Sequence, residues 1–158
     1  MMEKVPVIMQ MEALECGAAC LAMVLAYHGK WLALEKVRAD CGVSRDGSNA
    51  RNILRAARSY SLEAAGYRME TENLRKCDFP VVLHWNFNHF VVLCGFKKNK
   101  AVLNDPARGR VTVSLEELDR AFTGIVLCFA PAEGFTKEGK PASTLRFARE
   151  RLRGSGGA

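Results

Sequence analysis

Gln10-Met-Glu-Ala-Leu-Glu-Cys16-Gly17-Ala-Ala-Cys20-Leu-Ala-Met-Val-Leu-Ala-Tyr27-His28-Gly29 is the stretch around which the rest of the chain must be arranged. From Cys16 to Tyr27 it is apolar on every face. A helix made of it has no side suited to water and belongs at the centre of a core. His28-Gly29 supplies the stop. Two amphipathic helices are predicted next. One spans Leu34–Cys41, with Leu34, Val37 and Cys41 at helical spacing before Gly42. The other is capped by Ser48 or Asn49 and runs to about Ser59, with Ile53, Leu54, Ala57 and Tyr60 inward.

Beyond Tyr60 the pattern changes to short β-rich runs. Strands are predicted at Leu62–Tyr67, Val81–Trp85, His89–Phe96, Ala101–Asn104, Val111–Val113 and Ile125–Ala130. One helical turn falls at Thr71–Lys76 and a turn at Pro106–Arg110. The connections 86–88 and 97–100 suit antiparallel hairpins. Ser114-Leu-Glu-Glu117 is a capping box that opens a helix to about Phe122. Helices gathered ahead of an antiparallel sheet make the fold class α+β.

The composition narrows the function. With 158 residues, 49% of them apolar, the chain suits one domain with an ample core. The net charge of +6 invites a nucleic-acid partner, but residues 137–158 carry +4 of it. The nearly neutral body contains no recognition motif, so no nucleic acid is expected. Cys16–Gly29 is uncharged but too short for a membrane span. Phe79–Phe96 is longer, yet holds Pro80, His84, Asn86, Asn88 and His89, which are costly in lipid. The N-terminus has no stretch like a signal peptide, so the expected compartment is cytoplasmic and reducing. Cys16, Cys20, Cys41, Cys77, Cys94 and Cys128 then read as free thiols. No second ligand pair joins Cys16-x-x-x-Cys20 at zinc spacing, so neither metal nor cofactor is expected. Residues 1–132 are assigned to the domain and 133–158 to a basic tail. In that tail Leu145–Leu152 is amphipathic, and Gly154–Ala158 is a flexible linker or an appended tag.

The chemistry concentrates at Cys16. A thiol where a loop becomes a helix feels unpaired N–H groups and the positive end of the dipole, which favour the nucleophilic thiolate. Gly17 would let a substrate approach the backbone closely. A histidine is needed as partner. His28 ends the first helix and reads as its C-cap. His84 and His89 differ by five positions and would face opposite sides of one continuous strand. His89 begins a strong strand, and Asp105 ends the next one before Pro106. Pairing through the 97–100 turn brings the two to one end of the sheet, where the carboxylate could orient the ring. Asp105 alone would read as a turn residue. Gln10, across a loop from Cys16, has a carboxamide able to donate to a developing oxyanion. Trp85 and Phe87 could line a substrate slot or simply pack in the core, and Asn88 could offer its backbone to a substrate. Arg38, Arg51, Arg55 and Arg58 read as solvated helix faces.

Gln10, Glu15-Cys16-Gly17-Ala-Ala-Cys20, His89-Phe-Val-Val-Leu93 and Asn104-Asp105-Pro106 together resemble the bacteriocin-processing, double-glycine leader peptidases. These are the papain-like cysteine protease domains at the front of peptidase-containing ABC transporters. The resemblance covers about residues 5–131, with its blocks in the expected order. It departs at Glu15, where the family more often has Asp. The resemblance implies a papain-like fold, Cys16 as nucleophile, His89 as general base and acid, Asp105 as orienter and Gln10 as oxyanion donor. It implies cleavage after Gly-Gly, Gly-Ala or Gly-Ser in a bacteriocin or lanthipeptide-type precursor, whose amphipathic helical leader binds a hydrophobic groove. It also implies export through membrane and nucleotide-binding domains of the same chain, at the cytosolic face of a bacterial membrane. A basic flank before a first membrane helix accords with that placement. Two other readings of the same residues are a Cys–His–Asp acyltransferase or amidase and a non-catalytic precursor-docking domain.

Overall fold

A computed structural model describes residues 2–42 and 49–140. In chain order the elements are α1 (Cys16–Tyr27), α2 (Leu34–Cys41), α3 (Ala50–Ser59), β1 (Leu62–Arg68), a 3-10 turn (Thr71–Lys76), β2 (Val81–Trp85), β3 (His89–Lys97), β4 (Lys100–Asp105), β5 (Gly109–Ser114), α4 (Leu115–Ala121) and β6 (Phe122–Pro131). A second 3-10 turn, Ala13–Glu15, leads into α1. Helices precede one antiparallel sheet, as the α+β reading expects.

α1 lies where its composition requires, with Cys16 through Ala26 all buried. Its side chains meet one face of the sheet at Val82, Val92, Cys94, Val102 and Leu127, with Val37, Ile53 and Ala57 closing the core from α2 and α3. Leu21 and Leu25 are wholly buried, and such a leucine contributes about 1.5–3 kcal/mol through removal from water. The opposite face carries a second core. There Leu83, Trp85, Val91, Leu93 and Leu103 pack against Leu74 of the 3-10 turn and Leu118 of α4. β2 and β3 are therefore covered on both sides, which is why they read as nearly continuous apolar runs.

The caps follow the sequence. The Asn49 side chain accepts from the Asn52 N–H at 2.9 Å, so Asn49 caps α3 and the other candidate, Ser48, lies outside the described residues. Ser114 Oγ accepts from the Glu117 N–H at 3.1 Å and starts α4. The sheet order, β1-β6-β2-β3-β4-β5, places the last strand between the first two. β6 starts at Phe122, earlier than expected, because α4 hands over to it without a loop. Among the described residues no helix is long and apolar enough to cross a membrane.

Packing continues past Ala132. The Trp31 N–H donates to the Glu138 carbonyl (2.7 Å) and the Glu138 N–H to the Gly29 carbonyl (3.1 Å). Buried Lys30 reaches Glu138 at 3.3 Å and lies over the Phe135 ring. The expected amphipathic segment Leu145–Leu152 and the terminal Gly154–Ala158 lie outside the described residues. Gly139 has φ +75°, and a Cβ there would stand 2.4 Å from the Trp31 carbonyl oxygen. Gly139→Ala is expected to destabilise the fold by about 1–3 kcal/mol, from backbone strain and displacement of this segment. Thermal or denaturant unfolding of the variant measures it, and an unchanged midpoint would mean that the 133–140 segment contributes nothing to stability.

Candidate active site

Three loops and strand ends converge on Cys16. The first residue of α1, it is 7% exposed. β2 and β3 form a hairpin in which Trp85 pairs with His89 and His84 with Phe90. Cross-strand partners share a face, so His89 starts from the Trp85 side and His84 from the other. His89 reaches the end of α1 because it is the first residue of β3, at the rim of the sheet. The two histidines do face opposite ways, although they belong to two strands rather than one. His84 is occupied elsewhere, its Nδ1 2.9 Å from Thr123 Oγ1. His28 is the C-cap of α1, with its ring against Tyr27 and Phe135.

The β3–β4 hairpin supplies the third group. Its register begins at Lys97 opposite Lys100, but an irregularity between Leu93 and Gly95 shifts it, so that Val92 stands opposite Asn104. Asp105 therefore lies beside Val91 rather than opposite Val92, as the unshifted register would place it. His89 and Asp105 share a face one pleat apart, and the imidazole spans the offset. Its Nε2–H donates to Asp105 Oδ1 at 2.8 Å. The ring also interacts with the Cys16 thiol. With Nε2 engaged by Asp105, Nδ1 is the nitrogen left for the sulfur.

Asp105 is 3% exposed and well supplied with donors. The Ala107 N–H donates to Oδ1 at 2.8 Å and Arg108 Nε to Oδ2 at 3.0 Å. Burial opposes its charge, but the bonds from His89, Ala107 and Arg108 prevail and lower its pKa from 3.8 to about 2. Burial likewise opposes charge on His89. The hydrogen bond to Asp105 and the interaction with Cys16, with the charges of both, overcome it and raise the pKa from 6.5 to about 9. Such an imidazole can hold a proton and deliver it. Arg108 carries no sequence signal beyond standing three residues after Asp105 in a turn, and sequence reasoning passed over it.

Gln10 reaches the site along the N-terminal segment. Its N–H donates to the Pro106 carbonyl at 2.9 Å, next to Asp105. Its Oε1, an acceptor, is buried without a hydrogen-bond partner. A cavity of about 700 Å³ opens here, lined by Gln10, Trp85, Asn88, His89, Asp105 and Arg108 among others. Trp85 is buried yet borders the cavity, so it serves both the core and the wall. Phe87 does neither: it is 80% exposed at the tip of the hairpin, where Asn86 and Phe87 both take positive φ. The Asn88 N–H closes that turn onto the Trp85 carbonyl at 3.3 Å, and Asn88 borders the cavity. Gly17 is buried in helical backbone, and its conformational freedom goes unused. Cys20, one turn deeper, is fully buried, and burial raises its thiol far above the ordinary range. All six cysteines are free. Among the described residues no cluster of His, Cys, Asp and Glu could hold a metal ion.

The Asp105–His89 pair gives stability a defined pH window. The lowered Asp105 contributes stability that is present above pH 3.8 and lost as pH falls through about 2. The raised His89 contributes stability that is present below pH 6.5 and lost as pH rises through about 9. Proton NMR of the His89 ring is expected to show a midpoint near 9. Asp105→Asn should move that midpoint down towards 6.5, and an unmoved midpoint would contradict the assigned hydrogen bond.

The chain matches the Peptidase C39 family over residues 4–134. It is 42% identical over 135 residues to the probable microcin-H47 secretion/processing ATP-binding protein MchF of Escherichia coli, a match covering 85% of this chain and 19% of that protein. It is 41% identical, with the same coverage, to the colicin V secretion/processing ATP-binding protein CvaB of Escherichia coli. The chain thus spans about a fifth of the length of these relatives. Among solved structures, it superposes on a double glycine motif protease from an AMS/PCAT transporter, crystallised with the leader peptide. That match has 67% identity and a TM-score of 0.81, and covers 83% of this chain and 94% of the other. The peptidase domain of Streptococcus ComA shares the fold at 23% identity and TM-score 0.75, over 81% of this chain and 98% of the other. A helix-borne cysteine beside a strand-borne histidine and aspartate, on a fold held in common with these proteases, accompanies a match across most of the chain: the protein belongs to the peptidase C39 family of cysteine peptidases.

Proposed function

We propose that this domain removes the leader of a bacteriocin or lanthipeptide-type precursor, cutting after a double-glycine pair. One observation carries the reading: the His89 ring is held between the Asp105 carboxylate (2.8 Å) and the Cys16 thiol, beside a cavity bordered by Gln10. Those groups suffice for acyl transfer to sulfur and then to water. The similarity to a double glycine motif protease with bound leader peptide supports the choice of substrate.

In the proposed cycle the proton of the Cys16 thiol rests on His89, and the sulfur attacks the carbonyl carbon of the second glycine. Charge develops on the carbonyl oxygen, where the Gln10 carboxamide and an N–H at the start of α1 donate. The C–N bond breaks, and His89 gives its proton to the departing amine of the mature peptide. Water then attacks the thioester while His89 accepts its proton. The leader leaves as a carboxylic acid and the thiol is restored. Asp105 holds the ring in one tautomer and supports its charge throughout, and Arg108 holds Asp105.

The leader would enter as an amphipathic helix. The domain would act at the cytosolic face of a bacterial membrane, coupled to an ATP-driven exporter whose membrane and nucleotide-binding parts lie elsewhere. The support is that its E. coli relatives are secretion/processing ATP-binding proteins about five times longer.

The test is mass spectrometry of a precursor bearing a Gly-Gly leader after incubation with the domain. Cleavage is expected after the second glycine, and Cys16→Ala should lower turnover by about 10³-fold or more at an unchanged unfolding midpoint. Normal turnover by that variant would sink the reading.

A further inference from the structure

The proposed reaction needs Gln10 and Cys16 in a set relation, yet the loop joining them has almost no hydrophobic anchor. Within it Met11 and Leu14 are 81% and 40% exposed. Polar contacts must therefore hold the loop: the Glu15 N–H donates to the Glu12 carbonyl at 3.1 Å, and three further contacts converge on the Glu15 side chain. Glu15 is 3% exposed. Its Oε1 accepts from the Met11 N–H at 2.8 Å and the Glu12 N–H at 2.7 Å. Its Oε2 faces Arg38 Nε at 3.7 Å, and Arg38 also reaches Glu12 at 3.3 Å. Arg38, expected on a solvated helix face, instead ties α2 to this loop. The far end of the loop is pinned separately, by the Gln10 N–H on the Pro106 carbonyl.

We propose that Glu15 is a positioning residue for peptide cleavage: its buried carboxylate staples residues 11 and 12 back onto the residue before Cys16, and so sets Gln10 at the distance an oxyanion donor requires. The proposal rests on the leader-peptidase reading. Glu15 touches no reacting atom; it acts through Gln10 and the start of α1. Both backbone bonds end on one oxygen, so acceptor capacity at that point matters and net charge does not. Arg38 offsets the cost of a carboxylate kept out of water.

Three variants separate these roles in steady-state cleavage of a Gly-Gly precursor. Glu15→Gln keeps an oxygen in place and is expected to retain kcat within about threefold. Glu15→Met keeps the shape but removes the acceptor, and should lose about 30- to 100-fold in kcat with KM within about twofold, as for a misplaced oxyanion donor. Arg38→Met leaves both backbone bonds and should stay within about threefold. Thermal unfolding establishes that each variant is folded, and iodoacetamide should alkylate Cys16 in all of them at the wild-type rate. Wild-type kcat in folded Glu15→Met, or a deficit confined to KM, would overturn the proposal. So would a loss of more than tenfold in Glu15→Gln, which decides the matter even if Glu15→Met does not fold. Failure of the wild-type domain to cut any double-glycine precursor would instead count against the reading on which the proposal rests.

Discussion

A helix with no face for water governs this molecule. α1 must be covered on all sides, and α2, α3 and one face of the sheet together do so. A helix so enclosed can present only an end, and the end at the rim of the sheet is its N-terminus, which carries Cys16. The demand for burial thus also places the thiol, at a position where backbone N–H groups of the first turn lack helical partners. A helix with a polar stripe could have lain on the surface and rolled, and its first residue would have had no defined relation to β3 and β4.

The sheet answers with two residues whose relation is less direct than chain counting suggests. An ideal hairpin through Lys97–Lys100 would set Asp105 opposite Val92, three residues from His89 and on the other face. The irregularity near Gly95 moves it to Val91, one pleat from His89 on the same face, and the imidazole bridges the diagonal. The carboxylate is then saturated by Ala107 and Arg108, so it has little freedom to follow any other partner. The loop carrying Gln10 bonds to the same turn through Pro106. Helix end, strand end and loop are thereby joined by short polar contacts across a boundary that apolar packing alone would leave free to slide.

Much of this was legible in the residues, for identifiable reasons. The α1 sequence could be nothing but a buried helix, the Ser114 cap announces itself by type, and residue type narrows the α3 cap to Ser48 or Asn49. The β2–β3–β4 hairpins follow from apolar runs split by short polar turns, and so does the convergence of His89 on Asp105. Other features had no local signature. The insertion of β6 between β1 and β2 is a choice among pairings of similar apolar strands. The return of residues 133–140 onto Gly29–Trp31 depends on backbone groups that every residue possesses. Phe87 reads as an aromatic in search of a core, yet it sits at the left-handed tip of a hairpin, where its backbone leaves the side chain in solvent. Arg38 and Arg108 look like ordinary surface charges until their carboxylate partners are brought to them by distant segments.

The place of β6 bears on when the molecule becomes competent during its synthesis. Gln10, Cys16, His89 and Asp105 have all been made by residue 105, but β2 at that stage has only β3 beside it. Its other neighbour is β6, whose Leu127 and Val126 pair with Val82 and Leu83. The turn before His89 is also tied to Ala121, through the Asn86 N–H. A nascent chain therefore carries all four side chains for some time without the strand that completes the support of β2. Pairings of such long sequence separation are slow to form, so the β2–β3 hairpin waits on a strand made about forty residues later.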